Sequence, residues 1–410
     1  MVETQKVVRT RRVFHIPGYD PIHPRRYREL YRKESAAQAA ISGYKIGIRP
    51  AKSEESFRWL VDAETDGQAV SSQIDVLVWS DIVRDSMAQS IPATYWQLLR
   101  TAWVYITSGA LRRLMRLRKG PIIAALYPVF FLLGQLVIAV SAGWLVGRGV
   151  AGLAGENAGF LPFLLQWFVF GLVATVILRW FKSVDNKVFA YYLMHDYAFS
   201  AQSRGANPPA LEHRMAEFAD IIAGALTEDV DEVLVVGHSS GAHLAVSVLA
   251  DLIRDGRVPE DGPELAFLSL GQVVPMVSFL PEAARLRRDL AYLAASDALA
   301  WVDVTAPGDG CCFALCDPVA VSGVAPSDKR WPLVISAAFT QTLSPARWKA
   351  LRWRFFRLHF QYLCAFDRPG DYDYFQITAG PRLLRDRFAG RAPSQSRIAH
   401  TVSKYTSVAP

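Results

Sequence analysis

The chain has 410 residues, of which 51% are hydrophobic, and a formal net charge of +7 at pH 7. This length excludes a single minimal domain and is sufficient to bury a large core. Part of the positive charge lies in a cluster directly before an apolar region, a position that suits anionic lipid headgroups better than nucleic acid. No known nucleic-acid module stands out, so we expect no nucleic-acid partner. The clustered residues are Arg112, Arg113, Arg116, Arg118 and Lys119.

The first eighty residues alternate between strand and helix patterns. The predicted elements are a strand at residues 12–16, a helix at 24–42, and strands at 44–48 and 73–79. The first strand breaks at Pro17-Gly18-Tyr19, and the polar residues 62–72 are predicted to be a loop. This alternation is typical of an α/β protein with a mostly parallel sheet flanked by helices.

Residues 94–117 have a helical period, with Trp96, Leu99, Trp103 and Ile106 among the apolar positions. Arginines gather toward the end of this segment. Two interpretations stay open: the helix lies on a membrane surface with its apolar face down, or it packs within a cap domain.

Two uncharged runs follow. Residues 122–146 contain 25 residues, which span about 37 Å as a helix, more than the bilayer core of about 30 Å. Residues 160–178 form a second run, close to the minimum length for spanning. We therefore predict a transmembrane hairpin inserted in the fold. The alternative is a buried helical hairpin in a large core, where uncharged runs of this length are rare.

The charges around the hairpin predict its orientation. The basic cluster precedes the first run and Arg179, Lys182 and Lys187 follow the second, whereas the connection at residues 147–159 holds one arginine. The positive-inside bias then places both flanks in the cytoplasm. We expect a two-span membrane protein, of a bacterial inner membrane, with no signal peptide in the charged residues 1–12.

Residues 233–236 are Val-Leu-Val-Val and lead directly into the motif Gly237-His238-Ser239-Ser240-Gly241, after which a helix-forming segment begins. A strand that turns this tightly into a helix needs small residues on both sides of the serine and leaves its Oγ exposed. This stretch resembles the nucleophile elbow of the α/β-hydrolase superfamily, in particular its serine hydrolases of lipase and esterase type. The alternative is a Gly/Ser-rich turn with no chemistry.

The resemblance implies roles for other residues. A backbone N–H of Gly18 or Tyr19 and that of Ser240 would bind the oxyanion. The acid of the triad would follow a later strand, here predicted at residues 300–305. Asp309 lies closest to the end of that strand, and Asp317, in an Asp-Pro-Val run, is its rival. Either aspartate could instead cap a turn.

The base should come after the acid, and two histidines do. His400 lies in a polar tail. His359 lies in an aromatic run with Tyr362 three residues later, and it resembles the His-x-x-Tyr segment that follows the last strand of several lipases. His359 is therefore the predicted base, with a core histidine as the alternative.

The cysteines predict no metal site and no cofactor. Three of the four lie in one short segment, and no second Cys/His pair stands at zinc-ligand spacing. We interpret them as reduced thiols in a cytosolic compartment. The four are Cys311, Cys312, Cys316 and Cys364.

These patterns predict an α/β-hydrolase domain in two parts, residues 1–90 and 183–390, a helical insertion at 91–182, and a mobile tail at 391–410. The resemblance implies a membrane-anchored carboxylic ester hydrolase that meets membrane lipids and acts on amphipathic acyl esters. Two alternatives remain: acyl transfer or thioester cleavage by the same triad, and a catalytically silent hydrolase fold that serves as a membrane interaction module. No oligomeric state is assigned.

Overall fold

The computed structural model of the protein describes residues 6–51, 56–153 and 159–409. Its strands are β1 (Thr10–Ile16), β2 (Lys45–Pro50), β3 (Phe57–Thr65), β4 (Gln68–Val76), β5 (Glu232–His238), β6 (Glu264–Leu270), β7 (Ala300–Thr305) and β8 (Leu333–Ser336). The helices in the first half are α1 (Arg25–Ser42), α2 (Ser80–Met87), α3 (Ile91–Thr107), α4 (Ala110–Leu114), α5 (Lys119–Leu153), α6 (Leu161–Ser183), α7 (Asp185–Val188), α8 (Ala190–Gln202) and α9 (Pro209–Ala225). Those in the second half are α10 (Gly241–Arg254), α11 (Val274–Ser278), α12 (Ala284–Ala295), α13 (Pro318–Val321), α14 (Phe339–Thr342), α15 (Pro345–Leu351), α16 (Phe355–His359), the 3₁₀ helix Phe360–Leu363, α17 (Tyr374–Ala379) and α18 (Leu384–Arg387).

The strands form one eight-stranded sheet in the order β2-β3-β4-β1-β5-β6-β7-β8. Every pairing from β4 to β8 is parallel, whereas β3 pairs antiparallel with both β2 and β4 and is the one strand of the described sheet that runs in the opposite direction. Alternate residues of β5 join two separate apolar clusters, one on each face of the sheet. Helices cover both faces, as parallel sheets require. The prediction of an α/β chain with a mostly parallel sheet is thereby confirmed.

The predicted loop at residues 62–72 is wrong, because these residues belong to β3, β4 and the turn between them. Asp66 and Gly67 both have positive φ, 52° and 75°, as the two central residues of a type I′ hairpin turn do. β3 alternates between buried and exposed side chains along its length. The polar side chains on the exposed face of the β3–β4 hairpin gave the segment its loop-like composition.

The predicted hairpin region contains two helices long and apolar enough to span a membrane, α5 with 35 residues and α6 with 23. They pack together closely: a Cβ added to Gly147 would lie 2.5 Å from the carbonyl oxygen of Gln166. No residue of α6 is buried. Residues 154–158 of the predicted connection lie outside the described residues.

The segment before α5 is two helices rather than one. α3 ends at Thr107, and Gly109 has a φ of 73°, a left-handed conformation that stops the helix before α4 begins. α3 packs against α5 and α8 through Leu98, which shares an apolar cluster with Leu132 and Met194.

The C-terminal tail, for which its composition predicts mobility, has backbone hydrogen bonds to the rest of the fold. Ser394 N–H donates to the carbonyl of Val334, and Ile398 N–H to that of Leu315. Val402 N–H donates to the carbonyl of Val321. Hydrogen bonds between main-chain groups do not need apolar side chains at regular intervals, so they have no periodic pattern in the sequence.

β1 is the strand at which the strand order changes direction: β2 to β4 lie on one side of it and β5 to β8 on the other. It pairs with β4 on one side and with β5 on the other, and Arg11 of β1 forms a buried ion pair with Glu232 of β5. The loops that leave the carboxyl ends of β1 and β5 therefore begin side by side. In open α/β sheets such a switch point is the usual place for a ligand site.

Candidate active site

Ser239 follows β5, all of whose residues are buried, and it has a φ of 57°. A non-glycine residue in this left-handed region stores strain of order 1–3 kcal/mol. The glycines on either side make the turn possible. A Cβ added to Gly237 would lie 2.7 Å from Ala242 Cα, and one added to Gly241 would lie 2.0 Å from the carbonyl oxygen of Ile16.

The Gly241→Ala substitution is therefore expected to lower the free energy of unfolding by at least about 3 kcal/mol, because its methyl group overlaps the main chain of β1. Gly224→Ala in α9 is the matched control, since a Cβ there meets no atom within 4 Å. Denaturant unfolding of both variants checks the prediction. Equal stability of the two would contradict it.

The Gly18 loop lies directly over Ser239. A Cβ added to Gly18 would lie 2.9 Å from Ser239 Cβ and 3.3 Å from Ser239 Oγ. Trp79 Nε1 donates to the carbonyl of Pro17 at 2.9 Å, and Tyr192 OH donates to the carbonyl of Tyr19, so the loop is held from two sides.

The backbone N–H groups of Tyr19 and Ser240 have no acceptor within the part of the chain that the structure describes. Gly18 in the same loop also donates no backbone hydrogen bond to a described residue. Free donors on two loops that both border Ser239 can bind an anionic oxygen that develops beside the serine.

The structure brings Asp309 and His359 into contact. His359 Nδ1 lies 2.7 Å from Asp309 Oδ2. Tyr362 OH donates to the same oxygen at 3.1 Å, and Cys311 N–H donates to Oδ1 at 2.9 Å. Burial opposes ionisation of Asp309, but the charge and hydrogen bond of His359 hold the pKa of this carboxyl below its ordinary value. An ionised carboxylate fixes the tautomer and orientation of the imidazole.

His359 lies at the same end of the sheet as Ser239. A Cβ added to Gly271, which follows β6, would lie 3.1 Å from His359 Cε1, so this glycine leaves room for the imidazole. The backbone N–H of Ser239 donates to the carbonyl of Leu270 on the same strand. Among the described residues, no hydrogen bond joins Ser239 Oγ to His359.

Asp317 has other partners. Its Oδ1 caps α13 by accepting from the N–H groups of Val319 and Ala320, and its Oδ2 accepts from Lys329 Nζ at 2.7 Å. The structure does not bring it together with His359. Asp303 accepts from Ser269 Oγ at 2.6 Å, and burial raises the pKa of its carboxyl to about 8.

Two residues of the site were given no role from the sequence: His238, which fills the variable position of the serine motif, and Asp196. His238 Nε2 lies 3.0 Å from the carbonyl oxygen of His359 and ties the base to the serine turn. Asp196 of α8 lies near His359, and burial raises the pKa of its carboxyl to about 7 while His359 lowers it. The sequence signal for Asp196 was its place as the one acidic residue in the aromatic helix α8.

Ligand atoms of Asp309, Cys311 and His359 all lie within 4.8 Å of one another, a spacing that could hold a metal ion. The imidazole and carboxylate of this group already bond to each other. Burial also raises the pKa of the Cys311 thiol well above its ordinary value, which disfavours the thiolate that a metal needs. The donor set therefore fits a metal poorly.

The arrangement can perform acid–base chemistry at a hydroxyl. An imidazole held by an ionised carboxylate can take a proton from a neighbouring serine, and free N–H groups can bind a negative oxygen beside it.

The chain was compared with family models, curated proteins and solved structures, and no match was found.

Proposed function

We propose that the chain is a membrane-anchored serine hydrolase of the α/β-hydrolase superfamily that cleaves carboxylic esters through Ser239, His359 and Asp309. The observation that carries the proposal is the Asp309–His359 hydrogen bond of 2.7 Å at the sheet end where Ser239 stands in a left-handed turn. A turn of this kind that leads from a buried strand into a helix is the geometry of a nucleophile elbow.

The mechanism follows from the residue types. Ser239 Oγ attacks the ester carbonyl carbon while His359 takes its proton, and Asp309 stabilises the imidazolium. The N–H groups of Tyr19 and Ser240 bind the oxyanion, each worth about 3 kcal/mol. The imidazolium then protonates the leaving alcohol, and water, deprotonated by the same imidazole, releases the acid from Ser239.

The two apolar helices α5 and α6, called the helical pair below, support the proposal of a lipid-like substrate. α6 is strongly apolar and has no buried residue, which in water would expose a large apolar surface. A bilayer removes that cost. With both flanks in the cytoplasm, the enzyme would meet acyl lipids and other amphipathic esters at the inner surface of a bacterial membrane.

Labelling with a fluorophosphonate tests the proposal. We expect the purified full-length protein in detergent to form an adduct that mass spectrometry maps to Ser239, because only an activated serine attacks this electrophile at neutral pH. A known serine hydrolase labelled in parallel serves as control. An unlabelled protein beside a labelled control would favour the catalytically silent alternative.

Product analysis separates hydrolysis from acyl transfer. With a labelled ester and an added alcohol or amine, we expect free acid as the main product. A transferred acyl group in its place would reassign the same three residues to an acyltransferase.

A further inference from the structure

α3 exposes an apolar stripe of Trp96, Leu99, Trp103 and Ile106. These side chains recur at helical spacing, and each is between 59 and 71% exposed. The opposite face of the helix is buried, mainly against α8, and its Leu98 shares an apolar cluster with Leu132 of α5. Two tryptophans and two aliphatic residues on one exposed face are more than the scattered single apolar residues of an ordinary surface.

The stripe adjoins the helical pair. Tyr95 OH, next to Trp96, donates to the carbonyl of Leu132 in α5 at 2.9 Å. Lys182 Nζ, at the end of α6, donates to the carbonyl of Gln89 just before α3. The helix that carries the stripe therefore lies directly beside α5 and the end of α6.

The start of α5 also touches the loop that carries Asp309. A Cβ added to Gly120 would lie 3.0 Å from Gly310 Cα. Phe355, at the start of the His359 helix, also lies close to Gly310 and is 45% exposed. Trp353 beside it is also exposed.

The chain that leaves the helical pair reaches the same helix. The ring centroids of Phe189 and Phe356 are 4.8 Å apart. Both ends of the inserted pair therefore contact segments that hold the acid and the base.

Basic side chains border this surface. Arg112, Arg116 and Lys119 are exposed between α3 and α5, and none has an ion-pair or hydrogen-bond partner in the described ranges 6–51, 56–153 and 159–409. Such side chains attract anionic lipid headgroups by about 1 kcal/mol each near a membrane surface.

We infer that the α3 stripe docks into the interfacial layer of the lipid bilayer, and that the ester substrate enters the site laterally from that layer. The apolar stripe lies on a helix that adjoins α5 and α6, basic side chains follow it in the chain, and the two apolar helices contact the segments that hold Asp309 and His359. Tryptophan is the side chain that favours this layer. The lateral route rests on the proposed function, whereas the docking of α3 does not.

A fluorescent probe tests the docking of α3 to the bilayer independently of enzymatic activity. A nitrobenzoxadiazole dye is attached to Leu99→Cys in the full-length protein in lipid nanodiscs, with Ile41→Cys on α1, also exposed, as matched control. We expect the dye at position 99, and not at position 41, to emit at shorter wavelength and to be quenched by brominated lipids. The unsubstituted protein is treated with the same dye, and its fluorescence gives the background from the four native cysteines.

Two outcomes would overturn the docking. Equal, water-like emission at both positions means that the stripe faces solvent. Blue-shifted emission that brominated lipids do not quench means that a second copy or another protein covers it.

The double variant Trp96→Ser/Trp103→Ser tests the lateral route. We expect hydrolysis of a bilayer-embedded ester to fall about 5- to 10-fold, on the order of 1 kcal/mol, while hydrolysis of a water-soluble short-chain ester is unchanged. Ile41→Ser is the control. An equal loss with both esters, or no loss with either, contradicts the route. A parent protein inactive on both esters contradicts the proposed function instead and leaves the dye result standing.

Discussion

The Ser239→Ala protein is expected to hydrolyse esters about 10⁴- to 10⁶-fold more slowly than wild type, because no other group can form the acyl-enzyme. The fold should remain intact, since Ser239 Oγ makes no hydrogen bond within the described part of the chain. The ratio kcat/KM for a chromogenic ester, measured with the thermal unfolding of the same sample, checks both statements.

Ser327→Ala is a suitable control for this comparison. Ser327 is an exposed loop serine that makes no hydrogen bond to a described residue. We expect wild-type turnover from it. If Ser239→Ala and Ser327→Ala hydrolyse the ester equally fast, the nucleophile has been assigned wrongly.

Asp309→Asn is expected to lower kcat by about 10⁴-fold, because an amide cannot hold the imidazole in the productive tautomer or stabilise the imidazolium. Asp317→Asn is the matched variant, since both aspartates are 2% exposed. Its amide oxygen can still cap α13. It should keep wild-type turnover and lose about 1–2 kcal/mol of stability, because the bond to Lys329 is weakened.

Steady-state kinetics and denaturant unfolding of the two asparagine variants separate the roles. We expect Asp309→Asn to be slow but stable, and Asp317→Asn to keep its turnover but to be less stable. A large loss of turnover in Asp317→Asn alone would transfer the acid to that residue and make the Asp309–His359 contact a structural one.

The serine turn was predictable because its requirements are local. Gly237 and Gly241 are needed where a strand, a turn and a helix meet within a few residues, and the sequence presents all three features together. The two apolar helices were predictable for a similar reason, since length and absence of charge are properties of the segment itself.

The choice between the two aspartates depended on distant residues. Asp309 and Asp317 are both buried and both follow β7 in the chain, and what separates them is that His359 bonds to Asp309 whereas Lys329 bonds to Asp317. His359 comes 50 positions after Asp309, and Lys329 comes 12 positions after Asp317. Such pairings follow from the tertiary fold and leave no local signal.

The β3–β4 hairpin and Asp196 were missed for different reasons. The Asp66-Gly67 turn is a recognisable hairpin signal that the polar composition of its surroundings obscured. Asp196 lies in α8, which follows the long insertion, and its carboxyl is close enough for the charge of His359 to lower its pKa. No motif in the sequence links these two residues.

The pairing of β1 with β5 constrains how the protein is made. Arg11 and Glu232, one in each strand, are 221 positions apart, and α5 and α6 lie between them. During translation, the edge of β1 that pairs with β5 stays unpaired until the whole insertion and then β5 have been synthesised. Since both strands end in one sheet, α5 and α6 must either both cross the bilayer or both stay out of it.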